Sequence, residues 1–217
     1  MDAKSLSFKE VININAIPIA VEAVFIISCF VFPKEIHIYT NTAFYLLLFV
    51  YFLVRKDFSF RIWGAKLKSG FKFWRDTAFT VVGFGTAFAF SFILENSFSE
   101  WSTGSIQLLV DSWPKLFCFT ASTIIFPAIV EEIFFRKNII SMKSNGSIVI
   151  TAFIGMLLFG AEHFLMPWGI IIGMIWSLPL SLSYIKTKDV YIPITAHFIV
   201  SILGNGLDVI SLFQKLL

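Results

Sequence analysis

The chain has 217 residues, 57% of them hydrophobic and 14% charged, with 27 phenylalanines and a formal net charge of +3; its mean hydropathy is +0.82. Apolar runs recur along the whole length and leave no polar stretch long enough for a separate unit, which excludes a soluble domain. The sequence therefore predicts an all-α, polytopic transmembrane helix bundle. It carries no Gly-rich phosphate loop, and no nucleic-acid partner is expected.

A hydrocarbon core of about 30 Å needs roughly 20 apolar residues per helix. On that rule the predicted spans are 11 to 32, 37 to 54, 77 to 95, 113 to 136, 147 to 165, 168 to 185 and 190 to 210. Seven spans are expected, with six to eight if one is split or the tail folds back. The first is too long for a secretory signal and lacks a small-residue cleavage site, so it is expected to stay as a helix. Cys29 and Cys118 sit in apolar runs without ligand-like spacing and read as packing residues. His37 is expected at the outer interface.

Seven Lys or Arg fall in the connection from Arg55 to Arg75, which the positive-inside rule makes cytoplasmic. Its Phe and Trp content also suits a membrane surface. The N-terminus, the 136 to 146 connection and 186 to 189 then lie inside too, leaving only Lys34, Lys115 and Lys215 outside. The bilayer is thus the first expected partner, in a multi-pass cell-membrane protein with a cytoplasmic N-terminus. The Ile, Lys, Phe and Asn usage suggests a bacterial owner.

Against this background the ionisable residues in the spans stand out: Glu22, Glu131, Glu132, Arg136, Glu162, His163, His197 and Asp208. Such groups usually face a bundle interior and mark function. Glu132 and Arg136, four apart, share a helix face and can neutralise each other, whereas adjacent Glu131 points about 100° away. Glu131 has no local partner and is the candidate general base. At 1.5 Å per residue it lies roughly 16 Å from the cytoplasmic end of its helix, His163 roughly 24 Å and His197 about 10 Å from theirs, which helix tilt can reconcile. Glu162 either orients the His163 imidazole or serves another buried donor. Asp208 is expected near the outer interface, and Glu22 as a polar contact in the bundle.

These residues resemble the CPBP family of intramembrane proteases, also called the CAAX protease or Abi family. The EExxxR motif is matched by Glu131, Glu132 and Arg136, FxxxH by Phe159 and His163, and the third motif by His197 and Ser201. The best-characterised members have Asn where Ser201 stands. Asn205, eight residues past His197 and about 80° off its face, is a poorer substitute. The resemblance implies a division into N-terminal transmembrane helices (1–110, with the basic loop 55–76) and catalytic helices (111–210). It implies hydrolysis of a peptide bond in a membrane-associated peptide or protein, with Glu131 and His163 activating water and His197 with Ser201 stabilising the oxyanion. Glu132, Arg136, Phe159, Glu162 and Asn205 would support the site. No cofactor is required in that scheme. A zinc-dependent version would use Glu131, His163 and His197 as ligands. The family is also associated with bacteriocin immunity, which offers a non-catalytic binding function, and buried Glu and His residues also build proton pathways.

Overall fold

The computed structural model describes residues 5–217, and among them every regular element is helical. Two short helices open the chain, α1 (Phe8–Ile14) and α2 (Ala16–Val31). They are bent by 67° and together make one broken candidate span. The break falls at Asn15, whose buried side-chain amide donates to the Val11 carbonyl at 2.8 Å and to the Asn138 carbonyl at 3.0 Å. The Asn15 N–H keeps its bond to the Val11 carbonyl at 3.2 Å, but Pro18, three residues on, has no N–H for the Ile14 carbonyl, so the ladder is interrupted at the bend. Phe32 is extended ahead of Pro33, as a residue before proline prefers, and ends α2.

Six further helices are long and apolar enough to cross a membrane: α3 (Lys34–Val54), α5 (Phe71–Ser97), α6 (Trp113–Asn138), α7 (Asn145–His163), α8 (Pro167–Thr187) and α9 (Tyr191–Leu216). Between α3 and α5 lies the short α4 (Phe60–Leu67), where the sequence placed the basic loop. Trp63 of α4 donates its indole N–H to Thr195 Oγ1 at 2.9 Å, and Lys66 pairs with Asp189 at 2.5 Å. Lys137 reaches Asp57, and Ser141 donates to the Leu6 carbonyl. The N-terminal segment, the basic connection and the two later Lys-bearing connections therefore share one end of the bundle, as the charge pattern grouped them.

The core is largely aromatic. Phe25 stacks on Phe44 at 4.6 Å between ring centroids, Phe134 packs on Phe135 at 4.8 Å, and Phe135 meets Phe159 edge-on at 5.8 Å. Large apolar side chains such as Val24, Phe30, Phe79, Val149 and Leu203 instead face outward, as a hydrocarbon surround allows. Where α7 crosses α8, a Cβ built on Gly173 would stand 2.6 Å from the Gly160 Cα. Only the absence of side chains at this pair lets the backbones approach so closely.

Helix α6 is not regular. It contains widened π turns at Ala121–Ile125 and Glu132–Asn138. Pro127 lies between them and has no N–H for the Thr123 carbonyl four residues back. That carbonyl is satisfied from outside, by the Asn205 side-chain amide of α9 at 2.8 Å. Asn205 thus has a structural task that the sequence did not reveal.

Candidate active site

Glu131 and Glu132 are both wholly buried on α6 and serve different neighbours. Glu132 Oε1 accepts from Arg136 Nη1 at 3.2 Å and from His197 Nδ1 of α9 at 2.9 Å. Arg136 donates its other arm to Ser177 of α8, at 2.7 Å to Oγ and 3.3 Å to the carbonyl. Its guanidinium also lies over the Phe159 ring, 4.8 Å from the centroid. One ion pair therefore ties α6, α7, α8 and α9 together. The sequence paired Glu132 with Arg136 alone, because a partner 65 residues away in the chain leaves no local spacing signal.

Glu131 is not left without a partner: Tyr45 of α3 donates its hydroxyl to Glu131 Oε1 at 2.6 Å. Nothing in the motifs pointed to Tyr45. Its spacing from Asn41, four residues earlier on the same helix face, is the signal that was available, and both line the cavity described below. Among the described residues nothing donates to Glu131 Oε2.

Two imidazoles complete the arrangement. His163, the last residue of α7, stacks on Phe159 with ring centroids 4.5 Å apart, and its Nδ1 donates to the Phe159 carbonyl at 2.9 Å. Because a carbonyl only accepts, Nδ1 carries the proton and Nε2 is free to act as an acceptor. That Nε2 is 4.0 Å from Glu131 Oε1. On the other side, His197 Nε2 is 4.0 Å from Glu131 Oε2. Both separations are too long for a direct hydrogen bond and suited to a bridging water.

These groups open onto a cavity of about 650 Å³ lined by Glu131, His163, His197, Ser201, Tyr45 and Trp176 among others. Ser201 is largely buried one turn beyond His197 on α9 and makes no hydrogen bond among the described residues. Glu162 is buried on the cavity wall, where it interacts with the Tyr45 hydroxyl; Glu22 is buried and, among the described residues, accepts no hydrogen bond on either carboxylate oxygen, and both carboxylates interact electrostatically with Glu131. This gives Glu22 the setting that the sequence lacked: it is a buried carboxylate next to the cavity-lining Glu131 and Glu162. His37, expected at an interface, is buried, with Nε2 bonded to the Phe32 carbonyl at 3.1 Å. Asp208 is exposed.

A tetrahedral zinc ion would need its ligand atoms at about 2.0–2.2 Å from one point. Glu131, His163 and His197 surround a common space, but the 4.0 Å separations leave them too spread for that shell. Among the described residues no group of three or more His, Cys, Asp or Glu is gathered as a metal site.

The fold and this constellation define a multi-pass helical membrane protein with a buried cluster of glutamates and histidines on a cavity wall. Residues 113–203 match the Rce1-like family, described as type II CAAX prenyl endopeptidase Rce1-like. The matched region contains all three motifs, from Glu131 to Ser201, and bears out the resemblance to the CAAX protease family over those helices. Tyr45, Glu22 and Asn205 lie outside it. No curated protein and no solved structure is significantly similar to the chain.

Proposed function

We propose that the protein is an intramembrane endopeptidase that hydrolyses a peptide bond of a membrane-associated, CAAX-type peptide with water activated by Glu131 and His163. The observation that carries this reading is the position of Glu131. It lies on a cavity wall between two imidazole Nε2 atoms, each 4.0 Å away, with Oε1 held by Tyr45 and Oε2 unpaired.

In this scheme a water between Glu131 and His163 attacks the scissile carbonyl carbon and gives its proton to the free Glu131 oxygen or to His163 Nε2. The carbonyl π electrons move onto oxygen. Nδ1 of His197 is committed to Glu132, so Nε2 donates to that oxyanion in the protonated ring, whose charge Glu132 shares. The Ser201 hydroxyl supplies a second donor. Collapse of the intermediate breaks the C–N bond, and the proton taken from water passes to the leaving amine. Phe159 and the Glu132–Arg136 pair hold the two imidazoles in register. The N-terminus and the basic connection are assigned to the cytoplasmic side by their Lys and Arg content.

The test uses the full chain in lipid nanodiscs and a fluorescence-quenched peptide ending in a farnesylated cysteine and three further residues, the CAAX arrangement. Wild type is expected to cleave it, with activity kept after exhaustive chelation, while Glu131→Gln and His163→Ala lose cleavage. Full cleavage by Glu131→Gln overturns the mechanism. Loss on chelation with recovery on added zinc replaces it by the metal-dependent form.

A further inference from the structure

We infer that the chain between α5 and α6 binds the substrate backbone, by adding an extended peptide strand to the edge on which the Leu108 and Val110 amides lie. This inference rests on the endopeptidase reading above and specifies how the substrate is held.

The segment "STGSIQLLVDS" (102–112) has no helical periodicity, and from Ile106 to Asp111 the chain is neither helix, turn nor bend. Its burial alternates: Ile106, Leu108 and Val110 are partly buried, whereas Gln107 and Leu109 are exposed. A period of two is that of a strand. Gly104, at φ +64°, turns the chain into this conformation.

One antiparallel bridge, Ser105 to Phe164, pins the segment to the end of α7. The Leu165 N–H donates to the Gly104 carbonyl at 3.0 Å, and the Ile106 N–H to the carbonyl of His163 itself at 3.3 Å. There the pairing stops. Its partner chain ends as the helix α7 on one side and becomes α8 at Pro167 on the other. Among the described residues no hydrogen bond engages the backbone of 107–110.

Alternate amides of a strand point to the same edge. Leu108 and Val110 therefore continue the edge that Ile106 opens toward His163, while Gln107 and Leu109 point to the opposite one. The Ile106 and Leu108 side chains line the same cavity as Glu131, His163 and His197. Unpaired backbone groups in apolar surroundings are tolerated where they line a cavity, and they are satisfied by whatever enters it. Only another extended backbone offers donors and acceptors at the strand repeat, which commits the occupant to a peptide strand. A helical substrate uses those groups internally and must unwind first. The apolar walls at Phe84, Phe88 and Trp176 then receive its alternate side chains.

Proline scanning separates the two edges, because proline suits an extended backbone and deletes one N–H. With the farnesylated quenched peptide in nanodiscs, Leu108→Pro and Val110→Pro are expected to lower kcat/KM by about 5- to 100-fold, the effect of losing one backbone hydrogen bond and leaving its partner unpaired. Peptide affinity, read by fluorescence anisotropy on the cleavage-deficient Glu131→Gln protein, should fall in parallel. Gln107→Pro and Leu109→Pro should leave both readouts near wild type, and none of the four should shift the melting temperature by more than a degree or two, since no backbone bond is lost and the one side-chain bond removed, from Gln107 to the Ser105 carbonyl at 3.4 Å, is exposed. Equal effects at all four positions, or none at Leu108 and Val110 while wild type cleaves, overturn the inference and leave the endopeptidase reading standing. A peptide neither cleaved by wild type nor bound by Glu131→Gln removes both.

Discussion

Replacing Arg136 by alanine should strongly destabilise the protein, and the structure sets the size of the effect. The Arg136 and Glu132 side chains are wholly buried and 3.2 Å apart. Without the guanidinium, Glu132 keeps only His197, and Ser177 loses its donor. Breaking a buried pair by removing one partner costs about 3–5 kcal/mol. That is roughly a 150- to 4,000-fold change in the folded-to-unfolded ratio at 1.4 kcal/mol per tenfold, taken from a total of about 5–15 kcal/mol. Losing the Ser177 hydroxyl alone, in Ser177→Ala, should cost about 1.5–3 kcal/mol, the range for a hydrogen bond to a charged group. The double variant Glu132→Leu with Arg136→Met removes both charges and should be less damaging than Arg136→Ala, because no buried carboxylate is stranded. Thermal unfolding in detergent, followed by tryptophan fluorescence together with the yield of monodisperse protein, measures all three. A melting temperature for Arg136→Ala within a degree or two of wild type, or strict additivity in the double variant, would refute the reasoning.

Ser201→Ala should lower turnover by roughly 100- to 1,000-fold with little change in KM, the effect of losing one oxyanion donor, while Ser201→Asn, the commoner family residue, is tolerated. Unchanged turnover in Ser201→Ala means that His197 acts without it. Gly160→Ala should reduce folded yield and melting temperature, because the new Cβ would overlap the Ile170 carbonyl where α7 meets α8. Wild-type stability of that variant would mean that the two helices can separate at little cost.

The fold was legible because it is written in hydropathy: every span expected from 20-residue apolar runs has a helix, and the principal departure is the bend at Asn15. One proline that withholds an N–H and one buried amide bonded to two carbonyls carry too little weight in a hydropathy window to register as a bend. The site was legible in part, for a similar reason. Residues four apart on one helix announce each other, so Glu132 with Arg136 and Phe159 with His163 could be read from spacing. Contacts between helices leave no such trace. The Tyr45 hydroxyl on Glu131, the Glu132 carboxylate on His197 and the Asn205 amide on the Thr123 carbonyl all join residues more than 60 positions apart. Glu22 shows the limit most plainly, since its only significance is spatial.

The two adjacent glutamates can take opposite roles because α6 is built to keep them in different surroundings. Glu132 is fixed by two donors, one of them the anchor of His197, so its geometry cannot change without moving three helices. Glu131 is held through one oxygen by a neutral hydroxyl and has its other oxygen free. Pro127 and the π turns that flank it interrupt α6 on the approach to this pair, and Asn205 satisfies the carbonyl that Pro127 leaves free. Asn205 thus holds the backbone of α6 just before this pair. The same helix α9 that carries His197 to Glu132 carries this amide to α6, so the docking of α9 fixes both the His197 wall of the cavity and the irregular backbone on which Glu131 stands.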